Sequence, residues 1–188
     1  MAKKTRKKTL KQLFLALIIL SVGYLFSNLT YLDFESLLSE TITLEQTNES
    51  LELEPVTLKR VVDGDTIIVL DSNQNEVRVR MIGVDTPESV HVDSSKNTEA
   101  GVIASDYTKS QLIAGQIVYL EYDKERLDQY GRTLAYVWLD SNVDPTDLND
   151  IQAKMYNAKL LVEGYAVAKT YQPNTKYSTI FKSIEQSN

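Results

Sequence analysis

The sequence predicts an α+β protein, in which about three helices pack around a small closed barrel of five strands. Two patterns predict this fold class: five short β-rich runs separated by turn residues, and a helical stretch after the third run. Short strands in this order favour a closed barrel, because closure removes the exposed edges of a sheet. The length of 188 residues allows one ordinary domain with a terminal extension.

The N-terminal segment is basic and then apolar. Six of the twenty Lys and Arg residues precede residue 12, and no charge occurs from Leu13 to Phe26. This pattern is typical of a secretory signal peptide. The uncharged stretch continues to Leu32, so an uncleaved signal-anchor that attaches residues 13–32 to the membrane fits equally well. Either reading of residues 1–32 places the remaining chain outside the cytoplasm, secreted or membrane-anchored, because the basic cluster stays on the cytoplasmic side.

Residues 33–54 carry seven acidic residues and no basic residue, which predicts a solvated linker. The domain follows at 55–188. Its strands are expected at 56–60, 66–70, 77–82, 117–122 and 134–139, and its helices at 99–114, 150–163 and 176–185. Thr98 is the expected N-cap of the first helix, and four residues are expected near one of its faces: Ile103, Tyr107, Gln111 and Ala114.

The composition excludes several kinds of site. There is no cysteine, which excludes disulfides, thiolate zinc sites, iron–sulfur clusters and cysteine nucleophiles. The single histidine, His91, excludes a His-rich zinc site. A bound metal would therefore be held mostly by oxygen, which favours calcium, magnesium or manganese.

Three polar clusters stand out: DGDT at 63–66, RMIGVDTPE at 80–88 and DQYGRTLAY at 128–136. Taken singly, each has an ordinary alternative: a D-G turn, a solvated strand end, and a turn arginine paired with a surface acid. Pro87 restricts the backbone on either side of it, so the Glu88 carboxylate is expected at a rigid loop start.

Together the clusters indicate phosphodiester cleavage. Asp65 and Asp85 can share one hard cation, which prefers carboxylate and carbonyl oxygens. Arg80 and Arg132 can clamp a phosphate, because the guanidinium fork matches its oxygens and stays charged. A carboxylate beside them can activate a water molecule, and none of this chemistry needs histidine or cysteine.

At these residues the chain resembles the staphylococcal nuclease family. The three clusters are followed, in the family's order, by MYNAKLLVEGYA at 155–166 and YQPN at 171–174, and the resemblance runs from about Pro55 to the C-terminus. It implies an OB-fold barrel with three helices and a monomeric, calcium-dependent enzyme that cleaves DNA and RNA. It also implies products with 3′-phosphates and 5′-hydroxyls.

The resemblance assigns roles to individual residues. Asp65 and Asp85 match side-chain ligands of calcium, Thr86 matches a residue that contributes its backbone carbonyl, and Asp63 matches a supporting residue nearby. Glu88 matches the residue usually assigned as the general base for the attacking water.

The remaining matches concern the substrate. Arg80 and Arg132 match the arginines that hold the phosphate and stabilise its transition state, and Tyr130 and Tyr171 match tyrosines that line the nucleotide site. The chain departs from the family at Lys169, where a second site tyrosine is expected, and in its short last helix.

The alternative function has the same fold without catalysis: an extracellular OB-fold module that binds nucleic acid without cutting it. The domain carries 14 basic and 19 acidic residues, and a net charge of −5 is unusual for a nucleic-acid-binding protein. Four of these acids belong to the predicted site, so we expect weak electrostatic steering of the substrate rather than no binding.

Overall fold

The computed structural model describes residues 51–89, 95 and 97–187, together with residues 17, 18, 21 and 24. The chain divides into two compact units, Met1–Ser50 and Leu51–Asn188. The four described residues of the first unit have helical backbone and are exposed. The predicted signal or anchor segment, most of the acidic linker and His91 otherwise lie outside the described residues. Within the described part of the chain, no helix is long and apolar enough to cross a membrane.

Seven strands occur in the described residues: β1 (Glu54–Asp63), β2 (Thr66–Leu70), β3 (Glu76–Met81), β4 (Val84–Asp85), β5 (Ile117–Glu121), β6 (Thr133–Trp138) and β7 (Val167–Ala168). Five of them form the predicted closed barrel, in the order β1-β2-β3-β6-β5. Neighbours are antiparallel except β3 and β6, which run parallel. The register of β1 shifts twice along its pairing with β2, and such irregularities let a long strand bend between two partners.

The β4 and β7 strands form a separate two-stranded sheet that the sequence did not predict. Each strand has only two residues, which is too short for an alternating pattern to be visible. This small sheet matters for the site, because β4 ends at Asp85 and β7 leads to Lys169.

Four helices, rather than about three, occur in the described part of the domain: α1 (Glu99–Gln111), α2 (Leu148–Lys154), α3 (Tyr156–Val162) and α4 (Ser178–Gln186). The single helix expected at 150–163 is interrupted at Met155, whose backbone is extended with φ −90° and ψ 117°. Met155 is fully buried and forms a β-bridge with Trp138 at the end of β6. Met155 still donates its N–H to the Ile151 carbonyl, and the neighbouring Lys154 carbonyl accepts the Leu139 N–H of the barrel at 2.8 Å. The helix is therefore divided where its backbone turns to bond with the end of β6.

The α1 helix confirms its predicted N-cap, but three of the four residues expected near one face are exposed. The Thr98 hydroxyl accepts the Gly101 N–H at 3.0 Å, as expected for a cap. Of the residues expected near one face, Tyr107 is partly buried against the core, whereas Ile103 is 52% exposed. The buried positions of α1 are instead occupied by small residues: Gly101, Ala104, Ser105 and Thr108. Small side chains let the helix approach the barrel closely, and this close approach decides which face is buried.

The last helix, although short, packs against the barrel. Phe181 and Ile184 of α4 are buried. The Phe181 ring lies against Gly83, where an added Cβ would stand 2.6 Å from the ring. Gly83 has φ +80° and links β3 to β4. The helix therefore supports the turn that leads to Asp85.

A buried carboxylate connects α4 to the barrel. Glu121, at the end of β5, is 2% exposed. It accepts hydrogen bonds from Trp138 Nε1 at 2.6 Å and from the Tyr177 hydroxyl at 3.0 Å, and it forms an ion pair with Lys176 at 2.6 Å. Burying this charge is tolerated because the donors and the ammonium surround it.

Candidate active site

The turn between β1 and β2 places two carboxylates at one end of the barrel. Asp63 and Asp65 are each 6% exposed. Asp63 Oδ1 accepts hydrogen bonds from the Gly64 N–H at 2.9 Å and from the Ser89 hydroxyl at 2.6 Å. Its hydrogen bonds in the described residues therefore stabilise the turn and hold the segment that follows Glu88.

Arg80 joins the other two candidate carboxylates. Its Nη1 lies 2.8 Å from Asp65 Oδ2, and its Nη2 lies 2.8 Å from Asp85 Oδ1. Asp65 Oδ2 also accepts the Thr86 N–H at 2.9 Å and the Thr86 hydroxyl at 3.0 Å. Only 12% of the Arg80 side chain is exposed, so this pairing is largely shielded from water. The structure thus brings Asp65, Arg80, Asp85 and Thr86 to one place.

The oxygens at this place fit a hard cation. Calcium and magnesium take carboxylate and carbonyl oxygens and complete their shells with water. Asp65 and Asp85 supply two carboxylates that one guanidinium already bridges. Among the described residues no group of three or more acidic, His or Cys side chains is arranged for a metal. The further ligands would therefore be a carbonyl such as that of Thr86, water, or a bound anion.

Glu88 is exposed and its backbone is held by the start of α1. The Glu88 carbonyl accepts the Thr98 N–H at 2.9 Å. A Cβ added at Gly101 would stand 2.1 Å from the Glu88 carbonyl oxygen. The contact is so close that only glycine fits it, and it sets the position of the backbone that carries the Glu88 carboxylate.

Arg132 is held by a turn that Asp128 organises. Asp128 Oδ1 accepts the backbone N–H groups of Tyr130 and Arg132 at 2.9 Å, and Oδ2 pairs with Arg132 Nε at 2.6 Å. Burial opposes ionisation of Asp128, but the hydrogen bonds and charge of Arg132 outweigh it and lower the pKa of the carboxyl. Gly131 takes φ +76° in this turn. Asp128 was missed as a site residue, although an acid four residues before Arg132 in a glycine turn was a visible signal.

The parallel pairing of β3 and β6 relates the two arginines. Arg80 is opposite Leu134, and Arg132 lies two residues before Leu134. Arg132 therefore stands directly before the first residue of β6, the strand that pairs with the one carrying Arg80, and no hydrogen bond within the described residues links the two side chains.

The two candidate tyrosines lie at the surface. Tyr130 is 75% exposed, and the Arg132 guanidinium lies 5.6 Å from its ring centroid. Tyr171 is 49% exposed, and Lys169 Nζ lies 5.3 Å from its ring centroid. Exposed aromatic faces beside cations suit a stacking or cation–π contact with a base.

Lys169 also contacts the carboxylate cluster. Its Nζ lies 2.7 Å from Asp85 Oδ2, and this hydrogen bond raises the pKa of the lysine. The contact was not predicted, because Asp85 is 84 positions away in the sequence and the pairing of β4 with β7 is needed to bring them together.

Comparison with known proteins gives consistent matches. A family model described as "Staphylococcal nuclease homologue" matches residues 78–188. A thermonuclease of Staphylococcus intermedius is 46% identical over 129 residues, which cover 69% of this chain and 68% of that protein. A thermonuclease of Staphylococcus hyicus is 48% identical over 128 residues, which cover 68% of this chain and 65% of that protein. The endonuclease YncB of Bacillus subtilis is 41% identical over 133 residues, which cover 70% of this chain and 56% of that protein.

Proposed function

The chain belongs to the staphylococcal nuclease family, and from this membership we propose that it is a nuclease that hydrolyses phosphodiester bonds of DNA and RNA. We propose in addition that it depends on calcium, acts as a monomer and is exported, either secreted or anchored through residues 13–32. The observation that carries the proposal is the bridge that Arg80 makes between Asp65 and Asp85, which gathers two carboxylates and a guanidinium at one place.

The two arginines would hold the scissile phosphate. Arg132 pairs with Asp128 through Nε, so its terminal nitrogens form the fork that would face the phosphate oxygens. Arg80 lies on β3, which pairs with β6, and would take up part of the charge that develops on the phosphate oxygens. The exposed rings of Tyr130 and Tyr171 would contact the nucleotide on either side.

Asp65 and Asp85, with the Thr86 carbonyl, would hold the calcium ion. When bound, the ion would neutralise charge on the phosphate and orient it. Asp63 would act indirectly, by holding the segment after Glu88 through Ser89.

Glu88 would act as the general base. It would accept a proton from a water molecule as the water oxygen forms a bond to phosphorus. The bond from phosphorus to the 5′ oxygen would break, and that oxygen would take a proton from solvent. This balance yields a 3′-phosphate and a 5′-hydroxyl.

Digestion of supercoiled plasmid, single-stranded DNA and RNA tests the proposal, with calcium, with magnesium and with excess chelator. We expect cleavage with calcium and its loss with chelator. Arg132→Ala should lower kcat by about 10²–10³, because one lost transition-state donor costs about that much. Arg126→Ala is the matched control, since it removes an exposed arginine of the same loop and leaves the Asp128 turn in place. Cleavage that persists in chelator would contradict the metal role.

The alternative, a module that binds nucleic acid without cutting it, predicts retention in a gel shift with no products at any calcium concentration. The presence of Asp65, Arg80, Asp85, Glu88 and Arg132 in one chain favours catalysis. Export is tested separately, by measuring whether external protease digests the domain on intact cells or whether it appears in the medium.

A further inference from the structure

Both oxygens of Asp85 are occupied by cationic side chains. Arg80 Nη2 lies 2.8 Å from Oδ1, and Lys169 Nζ lies 2.7 Å from Oδ2. Arg80 belongs to the proposed phosphate clamp, whereas Lys169 has no assigned role. A divalent cation that binds the Asp85 carboxylate through Oδ2 would meet the Lys169 ammonium at that oxygen.

The fold holds Lys169 at this place. The β4–β7 pairing sets Val84 opposite Ala168 and Asp85 opposite Val167. The next hydrogen bond runs from the Lys169 N–H to the Gly83 carbonyl at 2.9 Å. The backbone of Lys169 is therefore fixed beside the strand that carries Asp85, and its side chain needs only to extend along that strand.

We propose that Lys169 is a built-in competitor for the metal ion at Asp85, which weakens calcium binding by holding the carboxylate in the metal-free protein. This inference depends on the proposed calcium site and goes beyond it, because it assigns about a fivefold part of the metal affinity to one residue of this chain. When calcium binds, the ammonium leaves Oδ2, since two cations cannot share one oxygen at contact distance without strong repulsion.

The size of the effect follows from exposure. The Lys169 side chain is 47% exposed and that of Asp85 is 31% exposed, so solvent screens the pair. Breaking a partly exposed ion pair of this kind, together with the repulsion between the ammonium and the ion, lowers the calcium affinity by about fivefold. A weakened site of this type suits the dissociation constants of about 10⁻⁴–10⁻³ M found in extracellular calcium modules.

Isothermal titration of calcium into the metal-free full-length protein tests the proposal without measuring activity. Lys169→Met should bind calcium about fivefold more tightly than the wild type, and Lys169→Arg, which keeps the charge, should bind like the wild type. Lys109→Met is the matched control, because it removes a lysine that pairs with Asp106 at 3.0 Å on the exposed side of α1. Asp85→Asn should abolish the binding heat, which identifies the site that is titrated.

The outcomes separate this inference from the proposed function. If the wild type binds calcium and Lys169→Met binds it no more tightly, the competitor role is wrong while calcium dependence stands. If neither protein binds calcium, the calcium site itself is wrong and the competitor role falls with it. Thermal unfolding in chelator confirms that each variant folds, and Lys169→Gln serves as a second neutral variant if Lys169→Met does not.

Discussion

Gly101→Ala should lower kcat about 10²-fold while leaving most of the stability. The added Cβ would stand 2.1 Å from the Glu88 carbonyl oxygen, and ordinary contact begins at 3.4 Å. Either α1 or the segment carrying Glu88 must therefore move by about 1.3 Å, because packed atoms do not overlap. A misplacement of about 1 Å at a catalytic group costs about 10²-fold in rate.

The effect on stability should be smaller than the effect on rate. Alanine is favoured over glycine in a helix interior by about 1 kcal/mol, which offsets part of the about 1–3 kcal/mol that overpacking costs. We expect a loss of at most about 2 kcal/mol in the free energy of unfolding. Urea denaturation, followed by the fluorescence of the single tryptophan, Trp138, measures this value beside kcat.

Gly115→Ala is the matched control. Gly115 has φ +89°, and an added Cβ would have no neighbour within 4 Å. This variant should lose about 1–2 kcal/mol of stability, because a left-handed backbone is unfavourable for alanine, and should keep the wild-type kcat. If Gly101→Ala kept the wild-type kcat, or if both variants lost activity equally, the close contact at Glu88 would not be what positions the site.

Three further predictions concern the buried carboxylate, pH and salt. Glu121→Ala should lower the free energy of unfolding, measured by urea denaturation, by about 3–5 kcal/mol, because it leaves buried donors and the Lys176 ammonium without their acceptor. The control Glu163→Ala, at an exposed site, should lower it by less than about 0.5 kcal/mol. The lowered pKa of Asp128 adds stability that is complete above its ordinary value of 3.8 and is lost as the pH falls through the lower folded value. The free energy of unfolding of Asp128→Asn should therefore fall less steeply than that of the wild type between pH 4 and pH 2, and parallel curves would exclude this contribution. Because the proposed function gives the phosphate two arginine contacts, kcat/KM should drop only about tenfold between 50 and 200 mM salt. A drop of about 10³ would contradict the weak steering expected of this acidic domain.

The barrel and its turns were predictable because they depend on local chemistry. The five β-rich runs became the five barrel strands, since alternating apolar residues and turn formers act over a few positions. Thr98 caps α1 through its own hydroxyl, which is an interaction within one helical turn. The DGDT and DQYGRT turns are likewise stabilised locally, because Asp63 accepts the N–H of Gly64 and Asp128 accepts the N–H groups of Tyr130 and Arg132.

Packing between distant elements decided the rest. The helix expected at 150–163 breaks at Met155 because its backbone pairs with Trp138, and periodicity cannot show a bridge to another strand. The buried face of α1 follows from its closeness to Glu88 rather than from the apolar positions Val102 and Ile103, which are exposed.

The candidate site also has one part that the sequence predicts and another that depends on tertiary structure. The sequence by itself determined which side chains are available for chemistry: oxygen ligands, arginines and no cysteine, because these are properties of single residues and their spacing. Only the tertiary structure decided that Arg80 bridges Asp65 and Asp85 and that Lys169 occupies the remaining oxygen of Asp85. The physical reason is that the contact between Asp65 and Arg80 needs the pairing of β2 with β3, and the contact between Lys169 and Asp85 needs the small β4–β7 sheet, which joins residues 84 positions apart.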